Sequence, residues 1–222
     1  MYSYLGKMSI NLTNIMTKKT TIIVSVLVFT GIAFGVIGWF FPRPTVPIEL
    51  QAVLRPESKP LQDFALVDQN KTTFNLENFK GKWTLLFFGY TFCPDVCPTT
   101  LTVLQQLYAK LPPQFLANTQ VVFVSVDPER DTPEQLAKYV AYFGKDFIGV
   151  TGEVTEINKL ASQTGAGYIK GPAPNADDNN YQISHTSTIF LINPKMQLHA
   201  GFSQPHIPEV IFEQYNLIRN LY

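Results

Sequence analysis

Residues 83–111 read WTLLFFGYTFCPDVCPTTLTVLQQLYAKL. The run from Trp83 to Phe92 is densely apolar, which suits a strand buried on both faces. Further on, Leu101, Leu104, Leu107, Tyr108 and Leu111 recur at spacings of three and four, one face of a helix, and Pro112-Pro113 ends it. Between strand and helix stand the only two cysteines of the chain, Cys93 and Cys97. Loops at the carboxyl ends of buried parallel strands are where open α/β sheets bind ligands. Position alone therefore marks these two thiols as candidate site residues.

Working outward, residues 62–79 read as a hairpin, with FALVD and TTFNL around the polar turn Gln69-Asn70-Lys71. TQVVFVSVD, 119–127, is a second buried strand. Asp131-Thr132-Pro133-Glu134-Gln135 opens a helix: Thr132 with Gln135 predicts a capping box, and Pro133 falls at the first helical position. Gly144 closes that helix. A short strand FIGV, a helix near 154–163 ended by Gly165, and a polar loop at 170–184 follow. TSTIFLINP and QLHAGF then flank the tight turn Asn193-Pro194-Lys195, and IPEVIFEQYNLIRNLY closes the chain as a helix. Strands joined through helices run parallel; strands joined by a tight turn run antiparallel. The predicted fold is α/β: a thioredoxin-like mixed sheet flanked by helices, with an N-terminal β-hairpin extension.

The 222 residues carry 17 basic and 17 acidic side chains, so net charge offers no electrostatic case for nucleic acid or an acidic substrate. From Ile22 to Phe41, twenty residues pass without a charge. At about 1.5 Å per residue such a helix spans a hydrocarbon core of roughly 30 Å. The run is longer than a signal-peptide core and lacks a small-x-small cleavage site, which predicts an uncleaved single-pass transmembrane helix at 20–41. Lys18 and Lys19 precede it, with Lys7 upstream, and only Arg43 lies close behind. The positive-inside rule then leaves residues 1–19 in the cytoplasm and everything after Pro42 outside, with Trp39 as an interfacial anchor. Met16 begins MTKKTTIIV, a compact positive leader, so translation is expected to start at Met16 or Met8 as an alternative to Met1. Residues 42–60 hold five prolines and read as a tether. The globular domain is expected over 61–222.

If residues 93–97 form the first helical turn, the two cysteines share one face with Cβ atoms about 5–6 Å apart. A disulfide wants about 3.5–4.5 Å, whereas a metal between two thiolates, with bonds near 2.3 Å, suits the wider spacing. The helix N-terminus stabilises thiolate. Soft thiolates select Cu(I); zinc is the chemical rival, but a structural zinc wants four ligands. His185, directly before a strand in ISHTSTIF, falls where thioredoxin-like sheets bring a segment beside the cysteine loop. Thioredoxins carry a cis-proline there; Ser184, His185, Thr186 and Ser187 stand here instead. His199 reads as a polar-face strand residue and His206 as the start of the last helix, neither a ligand. Asp127, Glu129, Arg130 and Asp131 form a charged loop that could orient the site or contact a partner, although capping and solvation explain Asp131. Asp95 suits the helix N-terminus, and Pro94 and Pro98 stiffen the loop. Met196 is the only methionine beyond residue 16, so no methionine-rich copper relay is present.

TFCPDVCPTTL, SVDPERDTPEQL and the lone histidine before TSTIFLINP resemble the Sco/SenC family. Its members are membrane-tethered thioredoxin-like copper proteins involved in assembling cytochrome c oxidase. The resemblance covers about residues 60–220 and implies that Cys93, Cys97 and His185 bind one copper ion, Cu(I) or Cu(II), for delivery to the copper site of cytochrome c oxidase subunit II. It implies an upstream copper donor or thiol reductant as a further partner. The family commonly has an acidic residue before the histidine; Ser184 stands here, which alters the tuning of the imidazole without removing a ligand. A second reading is a thiol-disulfide reductase that keeps the subunit II cysteines reduced, using Cys93 and Cys97 as a redox-active pair. A peroxiredoxin-like peroxidase is a third, but its Pro-x-x-x-Thr lead-in is absent before Cys93. The lack of an Arg- and Ser-rich transit leader favours a bacterial inner membrane, with the domain in the periplasm.

Overall fold

A computed structural model describes residues 20, 22–33, 47–172 and 180–222, in two compact units divided between Val46 and Pro47. In the first, residues 22–33 form helix α1. The Thr30 hydroxyl in this apolar stretch bonds back to the carbonyls of Val26 (2.9 Å) and Leu27 (3.0 Å), satisfying itself within the helix. Among the described residues no helix is long and apolar enough to cross a membrane. The remainder of the predicted span, residues 21 and 34–41, and the alternative start residues lie outside the described ones.

The second unit is built on an eight-stranded sheet. Its strands are β1 (Leu54–Pro60), β2 (Ala65–Asp68), β3 (Thr73–Asn75), β4 (Trp83–Gly89), β5 (Thr119–Ser125), β6 (Ile148–Thr151), β9 (Ile189–Ile192) and β10 (Gln197–Phe202), in the order β1-β10-β9-β4-β5-β6-β2-β3. Strands β4, β5 and β6 run parallel; every other pairing in this sheet is antiparallel. The helices are α2 (Ile48–Gln51), α3 (Val96–Lys110), α4 (Pro113–Leu116), α5 (Pro133–Phe143), α6 (Val154–Thr164) and α7 (Pro208–Leu221). β7 (Tyr168–Lys170) and β8 (Ile183–His185), among the described residues, pair only with each other, as a separate two-stranded ribbon. All seven residues of β4 and of β5 are buried, as expected of central strands covered on both faces.

The hairpin, the parallel strand-helix-strand units and the final antiparallel pair lie where the pattern put them. Gly165 caps α6 with φ of 79°, the left-handed conformation that glycine adopts without steric cost.

Two expectations are corrected. Residues 42–60 are not tether throughout, and the domain begins at Pro47 rather than at residue 61. Leu50 on α2 is fully buried, and β1 pairs with β10 through Leu54–Ala200, Lys59–Leu198 and Pro60–Gln197. Prolines are tolerated on an edge strand, where one row of N–H groups faces outward; β1 is such an edge, and it carries Pro56 and Pro60. The Thr132 capping box is half formed. The Thr132 side chain accepts from the Gln135 N–H at 3.3 Å, but the Gln135 side chain donates instead to Thr91 Oγ1 at 3.4 Å, in the cysteine loop.

Candidate metal centre

Helix α3 begins at Val96, so Cys93 lies in the preceding turn and not on a helical face shared with Cys97. Proline explains this. A helix opening at Cys93 would put Pro98 beyond the first turn, where the missing N–H and the ring's clash with the carbonyl of Pro94 are costly. Opening at Val96 places Pro98 in the first turn, whose N–H groups have no partner within the helix anyway. The Cys93 N–H donates to the Tyr90 carbonyl at 3.2 Å, which folds the turn back and brings the sulfurs together by a different route.

Three side chains converge there. The sulfurs of Cys93 and Cys97 and a ring nitrogen of His185 all lie within 4.8 Å of one another. Cys97 Sγ and His185 Nε2 are 3.2 Å apart. His185 Nδ1 lies 3.1 Å from the Thr186 carbonyl, which only accepts; Nδ1 therefore carries a proton and Nε2 faces the sulfurs. The ring packs edge-on against Phe87 and Tyr90. Ser184 is exposed and does not partner the ring; the orientation an acidic neighbour could supply comes from the Thr186 carbonyl.

The sulfurs differ. The hydrogen bond from the Cys97 thiol, a further one with His185, and the amides of Asp95 and Cys97 bring the Cys93 pKa down to about 3, against the effect of burial. Cys97 is fully enclosed; burial, and after it the bond to and charge of Cys93, push its thiol up. Hydrogen bonding and burial thus favour the thiolate on half-buried Cys93 and the proton on Cys97. A metal with bonds of about 2.3 Å to sulfur and about 2.0 Å to nitrogen separates S and N ligands by roughly 3.5–3.7 Å. The three donors fit a soft metal after a small opening of the Cys97–His185 contact.

The other predicted residues take supporting places or none. Asp95 is exposed and its side chain caps nothing; its amide bonds the Cys93 sulfur. Asp131, expected to cap and be solvated, is fully buried. It accepts from the Thr91 amide (2.9 Å), the Thr91 hydroxyl (2.6 Å) and the Ser125 hydroxyl (2.6 Å), pinning the cysteine loop to the end of β5. Burial raises its pKa, partly offset by those bonds. His199 faces Ser58 and packs against Trp83 and Tyr222; His206 bonds Thr100 and the Phe202 carbonyl, and neither joins the cluster.

Sequence reasoning missed Gly89 and Tyr90. A Cβ on Gly89 would lie 2.7 Å from Cys97 Sγ and 2.8 Å from the Phe123 ring, so any side chain here forces one of them to shift. A glycine inside an apolar strand is the available signal of such a close approach. The Tyr90 hydroxyl donates to Gln182 Oε1 at 2.8 Å and accepts from the Ile183 N–H at 3.2 Å, tying the end of β4 to the strand of His185.

A thioredoxin-like mixed sheet with two cysteines at a strand-helix junction and a histidine across from them defines a class of thiol- or metal-handling domain. The SCO1/SenC family model matches residues 54–218, and the chain belongs to that family. Copper-bound ScoI of Arabidopsis thaliana is 32% identical with a TM-score of 0.65, the match covering 72% of this chain and 98% of that one. Apo Sco1 of Thermus thermophilus is 36% identical with a TM-score of 0.66, covering 76% and 95%. A SCO2-like protein of Rickettsia felis is 31% identical over 196 residues, 88% of this chain and 94% of the relative.

Proposed function

We propose that this protein is a copper metallochaperone that holds one copper ion through Cys93, Cys97 and His185. The observation that carries the reading is the convergence of two sulfurs and one imidazole nitrogen within 4.8 Å, at a strand-helix junction. Relatives solved with copper bound support it. The resemblance to proteins of oxidase assembly supports delivery to the copper site of cytochrome c oxidase subunit II, with an upstream copper donor or thiol reductant acting before it. The uncharged run from Ile22 to Phe41 behind Lys18 and Lys19 supports a single-pass anchor in a bacterial inner membrane, the domain facing the periplasm. Copper titration of the reduced soluble domain tests the site. Cys93→Ala and Cys97→Ala should each abolish stoichiometric binding with the fold intact; unchanged stoichiometry in either defeats the assignment.

One feature of the geometry favours a second activity. Half-buried Cys93, its pKa lowered, lies beside enclosed Cys97, its pKa raised, which suits an attacking and a resolving thiol. As a thiol-disulfide reductase the protein would keep the subunit II cysteines reduced. His185→Ala separates the two roles, since it should remove copper transfer and leave thiol exchange with a peptide disulfide largely intact.

A further inference from the structure

The three donors come from two chain segments, with Cys97 and His185 separated by 88 positions, and no backbone ladder joins the β7–β8 ribbon to the main sheet. The chain re-enters the main sheet only at Ile189 of β9, so side chains around His185 help set how far its ring stands from the sulfurs. The loop 127–131 reaches both sides. Asp131 grips Thr91, two residues before Cys93. Arg130 lies next to it with its side chain only 7% exposed. Its guanidinium carbon is 4.8 Å from the Phe92 ring centroid on the cysteine side and 3.6 Å from that of Tyr181 on the histidine side. Arg130 Nε donates to Asp127 Oδ2 at 2.5 Å, and Nη1 donates to the Tyr181 carbonyl at 3.1 Å. The Tyr181 hydroxyl donates to the other Asp127 oxygen at 2.6 Å. Lys170, itself paired with Glu129 at 2.6 Å, lies 4.0 Å from the same ring. From Tyr181 the chain runs through Gln182 and Ser184 to His185.

We infer that Arg130 is a positioning residue for the third ligand: it clamps Phe92 of the cysteine loop to Tyr181 of the histidine strand and so fixes the sulfur-to-imidazole distance. A planar, permanently charged fork can stack on rings while donating in its own plane to a carboxylate and a carbonyl; an ammonium cannot do both. A buried ion pair such as Arg130–Asp127 contributes little net stability, so what it supplies here is geometry.

The inference rests on the copper reading, and the experiment keeps the two apart. Cu(I) affinity is measured anaerobically against a competing chelator for wild type, Arg130→Met, Arg130→Lys, His185→Ala and the double variant Arg130→Met/His185→Ala. Arg219→Met serves as a control, because Arg219 is an arginine among Trp83, Phe115 and Tyr215, in contact with none of the three ligands. Arg130→Met should weaken binding about 10–100-fold, and Arg130→Lys should not rescue it. In the His185→Ala background the same change should alter affinity by less than about twofold. The metal-free protein gives a second readout, in which the His185 ring nitrogen resonances shift in both Arg130 variants and not in Arg219→Met. Wild-type affinity and an unshifted His185 in the Arg130 variants, or an equal loss with and without His185, would overturn the inference. Should Arg130→Met not fold, Arg130→Lys, which leaves Asp127 a cationic partner, carries the same test. A wild type that binds no copper defeats the copper reading, while the ring resonances still report whether Arg130 places His185.

Discussion

Substituting alanine for Gly89 adds one methyl group at the most crowded point of the site. That methyl would stand 2.7 Å from Cys97 Sγ and 2.8 Å from Phe123 Cε2. Ordinary contacts lie at about 3.5–4.0 Å, so the neighbours must retreat by about 1 Å. Both Cys97 and Phe123 are fully buried, so neither can swing out into solvent to make room. Overpacking of this kind destabilises by about 1–3 kcal/mol, and in a domain of this size each kcal/mol lowers Tm by about 2–4 °C. A metal site tolerates ligand displacements of only about 0.2 Å, so a sulfur moved by about 1 Å should lower Cu(I) affinity about tenfold or more. Gly149→Ala is the matched control: its methyl would lie 2.9 Å from Val140 Cγ1 and 3.2 Å from Leu136 Cβ, away from the cysteines. Thermal unfolding and anaerobic chelator competition are measured on both. Comparable losses of stability are expected, with the loss of affinity confined to Gly89→Ala. Equal affinities for the two variants, within about twofold, would refute the reasoning.

Alkylation of Cys93 by iodoacetamide in the reduced, metal-free domain should hold a constant rate from about pH 5 to pH 9, because its thiolate persists down to about pH 3; a tenfold rise per pH unit contradicts this. Asp131 has a raised pKa in the folded protein, so the native state binds its proton more tightly than the unfolded chain does. Its contribution to stability therefore grows as pH falls through the folded pKa and is smallest at neutral pH. Relative to Asp131→Asn, the wild type should gain stability in urea between pH 7 and pH 4, and a gap that narrows in the opposite direction counts against the assignment. A fragment spanning 47–222 should unfold cooperatively, whereas 61–222, lacking buried Leu50 and strand β1, should be less stable by several kcal/mol; equal urea midpoints would restore the tether reading.

The central strands and α3 were legible because each carries a long, one-signal pattern: unbroken burial in β4 and β5, three-four spacing in the helix. The three-donor cluster was legible because two cysteines sit at a strand-helix junction and His185 stands just before a strand that returns beside it. What escaped had no local signature. Strand β1 is rich in proline and pairs only as an edge, so its composition matches a linker; the pairing with β10 lies more than a hundred residues away. Asp131 and Arg130 look like solvated loop charges until the fold brings Thr91, Ser125, Phe92 and Tyr181 around them. The first helical turn expected at 93–97 gave way to a start at Val96 because of Pro98, whose preferred place in a helix is a rule the spacing of the cysteines does not contain.

Cys97 is sealed within the domain while Cys93 is only half covered. An incoming ligand or thiol therefore meets Cys93 before Cys97. Exchange at this centre has a built-in sequence, entry by one door and a final latch behind it. If the centre carries copper, an acceptor would displace the half-covered sulfur first and would need a donor able to reach the enclosed one.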